Sequence, residues 1–248
     1  MRIERYESAE AMARAAAPRA AALVRAAIAA RGSARVIAAT GAAQFTFLEA
    51  LSQERNVNWQ AVTFFHLDEY VGLPETHPAS FRRFLRERID GPLKPGRFEY
   101  IDGSAPDPER ECARLERLIQ EAPIDVAFVG IGENGHLAFN DPPADFTTTR
   151  SYLVVKLDHA CRQQQVGEGW FTSLDEVPTH AISMSVSQIL ATREILAIVP
   201  ETRKARAVHE CFDGPVSVDH PASALQQHAN TTIYLDPQSA SLLERVAS

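Results

Sequence analysis

Two short stretches of the chain carry the residue types that proton-transfer chemistry needs. The first is the adjacent carboxylate pair Asp68 and Glu69, which directly follows the apolar run 62–67. Carboxylates at the end of a buried strand are costly unless they are solvated or paired, so this placement favours a catalytic base. A helix cap or an ordinary loop carboxylate is the structural alternative.

The second stretch, residues 126–142, joins an apolar run to a polar loop rich in glycine. The apolar run 126–131 is typical of a buried strand, and the glycines let the backbone turn tightly beside a small ligand. His136 follows, with an imidazole whose ordinary pKa of about 6.5 suits proton exchange near neutrality. Asn134 and Asp141 flank it. A buried strand that ends in such a loop is where open α/β sheets bind ligands.

Two further segments have the pattern of an anion site. One is a turn of small residues between a predicted strand and a predicted helix, formed by Thr40, Gly41, Ala42, Ala43 and Gln44. The other is Lys204, near a helix start after the predicted strand 195–199. Helix starts offer free backbone N–H groups to anions, although neither segment is a Walker A or a Gly-x-Gly-x-x-Gly motif. An ordinary turn and an exposed lysine are the alternatives.

Alternating strand and helix patterns supply the scaffold for these residues. They predict an α/β fold, a single domain over residues 1–248, with a mainly parallel sheet and helices on both faces. Ser8 should cap a helix that Gly32 ends and that Pro18 kinks or divides. A terminal helix is expected after residues 236–237. The predicted strands are residues 35–40, 62–67, 98–101, 126–131, 152–157, 181–186, 195–199 and 231–235.

Composition excludes several classes of partner. The chain has 248 residues and a net charge of −7, which argues against a broad nucleic-acid surface. Arginines interrupt the alanine-rich segment 9–30, so we expect neither a signal peptide nor a membrane span. The three cysteines are far apart and fit neither a disulfide framework nor a cysteine-based metal site. These features indicate a soluble cytoplasmic protein and leave a homo-oligomer open.

Three segments resemble the glucosamine-6-phosphate deaminase/isomerase family, whose relatives include 6-phosphogluconolactonase. They are residues 67–73, 132–142 and 223–228, with the sequences LDEYVGL, GENGHLAFNDP and SALQQH. The resemblance covers nearly the whole chain. Lactonases carry Asp-Glu-Arg and Gly-His-Thr-Ala-Ser where this chain carries Asp-Glu-Tyr and Gly-His-Leu-Ala-Phe. The chain therefore resembles the deaminase branch.

The resemblance implies a modified Rossmann-like sandwich that converts an amino-sugar phosphate, foremost glucosamine 6-phosphate, to fructose 6-phosphate and ammonia. It implies no metal and no organic cofactor. Asp68 matches the base that moves a proton from C2 toward C1, and His136 matches the histidine that assists ring opening. Asp141 matches the carboxylate that supports this histidine. Residues 40–44 match the loop that holds the sugar phosphate, and Lys204 matches the lysine that neutralises it.

Several positions depart from the family pattern. Asn134, beside the catalytic histidine, stands where deaminases often carry Asp, and an amide cannot take up a proton as a carboxylate does. The phosphate loop reads Thr-Gly-Ala-Ala-Gln instead of Thr-Gly-Gly-Thr-Pro. Within the polar segment 159–178, either a lid or a surface helical hairpin, the substrate-binding arginine of the family aligns with Gly169. Arg162 is the candidate that replaces it.

Two other functions are alternatives to the deaminase interpretation. One is a sugar-phosphate lactonase in which His136 activates water, although Tyr70 and Phe139 differ from the lactonase pattern. The other is a non-catalytic sugar-phosphate sensor, suggested by Asn134 and the altered phosphate loop. A sensor would show ligand-dependent thermal stabilisation without turnover.

Overall fold

The predicted alternation of strands and helices forms a seven-stranded parallel sheet, seen in a computed structural model that describes residues 1–244. The sheet order is β1-β10-β9-β6-β2-β3-β5. The strands of the chain are β1 (Arg2–Arg5), β2 (Ala34–Ala38), β3 (Val62–His66), β4 (Asp68–Tyr70), β5 (Arg97–Glu99), β6 (Val126–Val129), β7 (Tyr152–Lys156), β8 (His180–Met184), β9 (Glu194–Val199) and β10 (Thr231–Leu235).

Two of these strands were not expected from the sequence. β1 is a partly exposed edge strand that pairs with β10. β4 follows β3 after one residue and pairs antiparallel with β8, which also pairs with β7 in a separate three-stranded sheet. The Tyr152 hydroxyl donates to the carbonyl oxygen of His66 at 2.9 Å and ties this small sheet to the end of β3.

The helices begin and end largely where capping residues predict. Ser8 accepts a hydrogen bond from the Ala11 N–H, and Gly32 ends the first helix with a φ of 79°. The expected division at Pro18 is wrong, because the helix runs unbroken through that residue. The helices are α1 (Ala9–Arg31), α2 (Phe45–Ser52), α3 (Phe81–Leu85), α4 (Gly91–Leu93), α5 (Pro108–Ile119), α6 (His159–Gly167), α7 (Val186–Leu190) and α8 (Ala205–Phe212).

Alternating side chains of the parallel strands fill two separate cores, one on each face of the sheet. Val36 and Phe64 pack on the face that α1 and α2 cover. Their neighbours Ile37 and Phe65 pack on the other face, which α5 and α8 cover. Burial of both faces explains why these strands are apolar throughout. The prediction of helices on both faces of a mainly parallel sheet is confirmed.

The described C-terminal residues and the polar segment 159–178 form turns and a short helix outside the two sheets. The helix expected after residues 236–237 is wrong for the described part, which forms turns up to residue 242; residues 245–248 lie outside the description. The polar segment 159–178 contains α6 and a short 3-10 turn, Leu174–Glu176. Within residues 1–244, no helix has both the length and the apolar character to cross a bilayer.

The sheet order creates a crevice beside its central strand. β2 lies between β3 and β6, with Ile37 paired to both Phe65 and Ala127. From β2 the chain builds outward to β3 and β5, whereas from β6 it builds in the opposite direction to β9 and β10. The loops after β2 and β6 must therefore diverge, and such a switch point is where open α/β sheets bind ligands.

Candidate active site

A cleft opens at this switch point, along the carboxyl ends of four neighbouring strands. The loops after β9, β6, β2 and β3 form its wall, and residues of α6 and the segment that follows it contribute the opposite side. Among its lining residues are most of those that the sequence singled out: Thr40, Gly41, Ala42, Ala43, Gln44, Asp68, His136 and Lys204.

Asp68 is a buried carboxylate, and one of its two oxygens accepts no hydrogen bond. The residue is 6% exposed, and its Oδ1 atom has no hydrogen-bond partner. Burial, and secondarily the neighbouring charge of Glu69, raise the pKa of Asp68 to about 8. The protonation state of this carboxyl group therefore changes near physiological pH, the range in which general bases are most effective.

Glu69 is equally buried but has the opposite environment. Its carboxylate accepts hydrogen bonds from the N–H groups of Tyr70, Phe81 and Arg82 and from the Ser80 hydroxyl. The guanidinium Nε of Arg82 lies 3.6 Å away. Four donors and a cation hold this carboxylate at the start of α3, so Glu69 is a structural group, and only Asp68 faces the cleft.

His136 lies over the glycine turn that follows β6. A Cβ atom at Gly132 would lie 2.3 Å from the imidazole, so only glycine leaves room for the ring. The Gly132 N–H donates to the His136 carbonyl at 2.9 Å and closes the turn. The side chain is 11% exposed and its Nδ1 lies 3.3 Å from Asp141 Oδ1, within ion-pair range but without a well-aligned hydrogen bond.

Asn134 and Asp141 support this histidine from behind the cleft. The Asn134 side-chain oxygen accepts the His136 backbone N–H at 3.1 Å, and its amide donates to Asp141 Oδ1 at 3.3 Å. The Asp158 N–H donates to the other carboxylate oxygen. Burial alone raises the pKa of Asp141, but His136 and these donors outweigh it and hold that pKa below its ordinary value. Asp141 is therefore a carboxylate that can stabilise a protonated imidazole.

The two predicted anion loops share one backbone design. After β2, Gly41 has a φ of 101° and precedes a 3-10 turn and α2; after β9, Glu201 has a φ of 82° and precedes a 3-10 turn and α8. The first N–H groups of such turns have no intrahelical acceptor. A positive φ is strained for a glutamate, by about 1–3 kcal/mol, so the fold maintains this shape at a cost.

Lys204 ends the second loop and is 5% exposed. Burial lowers the pKa of its ammonium group, while the charges of Glu168 and Glu133 act in the opposite direction. In the first loop, the Gln44 side chain donates to the Ile198 carbonyl at 3.1 Å and so anchors the loop to β9. Gln44 therefore shapes the site through its side chain, by holding this loop against β9.

Comparisons with known proteins agree on one family. Residues 7–234 match the family described as glucosamine-6-phosphate isomerases/6-phosphogluconolactonase. The glucosamine-6-phosphate deaminase of Exiguobacterium sibiricum is 37% identical over 213 residues, which cover 83% of this chain and 79% of that protein. The chain belongs to this family.

Solved structures extend the likeness to the whole fold of this family. A monomeric glucosamine-6-phosphate deaminase is 31% identical, with a TM-score of 0.89 over 98% of this chain and 100% of that chain. A 6-phosphogluconolactonase from Shewanella baltica has a TM-score of 0.78 over 95% and 97% of the two chains, but only 18% identity. The second likeness shows the shared fold alone.

The structure corrects the expectation for the missing family arginine. Arg162 is not part of the cleft wall, and one of its guanidinium nitrogens donates to the carbonyl oxygens of Leu174 and Val177 at 2.5 and 3.0 Å. These bonds join α6 to the 3-10 turn that follows it. In this structure Arg162 therefore holds the 159–178 segment together and does not lie where the sequence predicted a substrate-binding arginine.

The cleft also contains polar residues that sequence reasoning missed. Arg203 lies 3.2 Å from Glu133 and 2.6 Å from Glu201, and Glu168 is 4.0 Å away. Glu168 also accepts hydrogen bonds from the side chains of Gln164 and Trp170 at 2.7 and 3.1 Å. The sequence offered one indication of Arg203, its position directly before Lys204. It offered no indication of Glu168, because α6 shows weak apolar periodicity.

Proposed function

We propose that the chain isomerises and deaminates an amino-sugar phosphate, converting glucosamine 6-phosphate and water to fructose 6-phosphate and ammonia. The observation that carries this proposal is the common cleft of Asp68, His136 and Lys204, each at the end of a different strand. A carboxyl group with a pKa of about 8, an imidazole supported by a carboxylate, and a buried cation are the three groups that the reaction needs. Relatives named as glucosamine-6-phosphate deaminases support the same reaction.

Proton transfers in this cleft can be assigned to two side chains. His136, backed by Asp141, takes the proton of the sugar O1 hydroxyl and returns a proton to the ring oxygen as the pyranose opens. Ionised Asp68 then removes the proton from C2 and delivers it to C1, while the substrate ammonium group loses one proton and the C1 oxygen gains one, which converts the aldose to a ketose imine. Water adds at C2 and ammonia leaves, so the overall change is an isomerisation coupled to hydrolysis. A positioned acid or base typically contributes about 10²–10⁴-fold in rate.

The phosphate binds where the two similar loops meet. The backbone N–H groups of residues 42–43 and the ammonium group of Lys204 are the donors there, and Arg203 is a second cation at the same wall. Arg203 is 43% exposed and is held by carboxylates in the free protein, so it can exchange a carboxylate for a phosphate oxygen. Binding energy from the remote phosphate holds the open chain against Asp68 and so supports turnover.

The proposal also covers the compartment of the protein and its oligomeric state. We place the enzyme in the cytoplasm because all three cysteines are free and buried, as is common for proteins of reducing compartments. Residues 1–248 act as one domain, and every group assigned a role comes from one chain. A homo-oligomer would therefore leave the site complete in each subunit.

A coupled assay for ammonia and fructose 6-phosphate tests the function. Wild-type protein should release both products in equal amounts from glucosamine 6-phosphate, and Asp68→Asn should reduce turnover by at least about 10²-fold. Asp219→Asn, at an exposed carboxylate, is the matched control and should retain wild-type turnover. The proposal fails if wild type releases neither product, or if Asp68→Asn is as active as wild type. Glucose 6-phosphate and galactosamine 6-phosphate measure selectivity in the same assay.

A further inference from the structure

Three side chains of metal-binding type converge behind the wall of the cleft. They are the imidazole of His136, the carboxylate of Asp141 and the thiol of Cys161, and one ligand atom of each lies within 4.8 Å of the others. The first two belong to the loop after β6, whereas Cys161 belongs to α6. Because Cys161 is separated in sequence from the other two ligands, the group has neither Cys-x-x-Cys nor His-x-x-x-His spacing and is not recognisable from the sequence.

The donor set suits a thiophilic divalent cation. Nitrogen, oxygen and sulfur bind Zn²⁺ at about 2.0–2.3 Å, so ligand atoms around a tetrahedral ion lie roughly 3.3–3.8 Å apart. The group therefore needs to contract by about 1 Å to bind Zn²⁺ at those distances. A neutral imidazole, a carboxylate and a thiolate together carry two negative charges, which balance the charge of the ion.

Two details of the structure fit such a site. The Nδ1 atom of His136 is buried and forms no well-aligned hydrogen bond, and its one polar contact is with Asp141 Oδ1, another member of the group. Asp141 is oriented by the Asp158 N–H on one carboxylate oxygen and by the Asn134 amide on the other, and this second oxygen also lies 3.3 Å from His136 Nδ1. Hydrogen bonds of this kind commonly orient metal ligands. His136 also lines the cleft, so water from the cleft can complete a tetrahedral shell.

We propose that His136, Asp141 and Cys161 form an inhibitory zinc site of this enzyme. A zinc ion on Nδ1 occupies the atom that faces Asp141, so the ring loses its direct contact with that carboxylate. His136 then loses the proton exchange that ring opening requires, so inhibition by zinc rests on the proposed function, whereas binding does not. The ion also joins α6 to the loop after β6 and stabilises the folded protein against heat.

Cobalt(II) is the direct probe of this site, because a cobalt–thiolate bond gives a charge-transfer absorption band that nitrogen and oxygen ligands do not. Metal-free wild-type protein should develop this band with one equivalent of Co²⁺ and lose it when Zn²⁺ displaces the cobalt. Cys161→Ser should lack the band. Cys112→Ser is the matched control, since Cys112 is an equally buried free cysteine on α5, and it should keep the band.

Activity and specificity provide the second measurement. Micromolar Zn²⁺ should inhibit wild type and Cys112→Ser but leave the residual activity of Cys161→Ser unchanged, while Mg²⁺ should not inhibit, since it prefers oxygen ligands. Absence of the cobalt band in wild type overturns the proposal, as does undiminished zinc binding by Cys161→Ser. If Cys161→Ser does not fold, Cys161→Ala and the wild-type cobalt spectrum decide. A protein that binds one Zn²⁺ through Cys161 but deaminates no sugar would refute the proposed function and not the metal site.

Discussion

Replacing Asp68 with Asn should make the protein more stable while it lowers turnover. The carboxyl group is buried, with an oxygen that lacks a hydrogen-bond partner, and its pKa is raised from 3.8 to about 8. An ionised carboxylate in this position therefore disfavours the folded state. A neutral amide of the same shape removes that cost, so we expect the opposite of the usual effect of a buried substitution.

The magnitude follows from linkage between proton binding and folding. Each unit of pKa difference corresponds to about 1.4 kcal/mol, so a rise from 3.8 to about 8 costs at most about 6 kcal/mol above pH 8 and about 4 kcal/mol at pH 7. Burial of the new amide returns about 1–3 kcal/mol of this. We therefore expect Asp68→Asn to raise the free energy of unfolding at pH 7 by about 1–3 kcal/mol.

The sign of the pH dependence is a sharper test than the magnitude. Between pH 4 and pH 8, Asp68 is ionised in the unfolded chain but still protonated in the folded protein, since its pKa moves from 3.8 to about 8. The unfolded state thus binds fewer protons, and the contribution of this group to stability falls by up to about 1.4 kcal/mol per pH unit as pH rises. The advantage of Asp68→Asn should therefore grow from pH 5 to pH 8 and become constant above it.

Urea unfolding at several pH values measures both quantities. The free energies of wild type and Asp68→Asn are compared at each pH, and Asp219→Asn controls for general effects of removing a carboxylate at the surface. If Asp68→Asn is less stable than wild type, or if the difference between them is the same at pH 5 and pH 8, the carboxyl group is not held in the high-pKa state described above.

Three further predictions concern activity. With ionised Asp68 as the proposed base and a pKa of about 8, kcat/KM should be about tenfold lower at pH 7 than on a plateau above pH 8, and a flat profile would contradict this. Gly132→Ala should reduce turnover strongly in a folded protein, because its Cβ would meet the His136 imidazole, the proposed acid–base group, at 2.3 Å. Gly167→Ala, with open space around it, should not reduce turnover. Lys204→Ala should raise KM for sugar phosphates about 10–100-fold. The control is Arg206→Ala, because the side chain of Arg206 is 80% exposed, and it should leave KM within about twofold. Equal effects of the two substitutions would mean that Lys204 does not bind the phosphate.

The parts of the site that the sequence predicted are those tied to strand ends. Asp68, His136 and Lys204 each follow an apolar run, and parallel strands bring their carboxyl ends to the same edge of a sheet. The structure places all three at one cleft, while their catalytic and binding roles stay predictions. The strand order itself, with β2 beside β6, was not predictable, because each apolar run pairs equally well with several partners.

The parts that the sequence did not predict depend on tertiary contacts. β4 has three residues and joins a different sheet from β3, so no periodicity distinguishes it from a loop. Pro18 does not divide α1: it is exposed, while Ala17 and Ala20 beside it are buried, and the helix propensity and contacts of these alanines offset the lost hydrogen bond. Arg162 was expected at the cleft, but carbonyl acceptors in the following turn hold it elsewhere.

Hydrogen bonding, and not burial, separates the reactive carboxylate from its structural neighbour. Asp68 and Glu69 are adjacent and both buried, yet Glu69 has four donors and a nearby guanidinium, whereas Asp68 has an oxygen without any partner. Unpartnered buried atoms also occur far from the cleft, for example at Thr192, so the missing partner alone does not mark a functional group. Its coincidence with the cleft supports the role proposed for Asp68, because a bound substrate could then supply the contact that the folded protein lacks. The missing hydrogen bond thus lowers the stability of the folded protein and, in the proposed mechanism, makes Asp68 an effective base. A variant in which another protein group donated a hydrogen bond to the free Asp68 oxygen would be more stable and a poorer base.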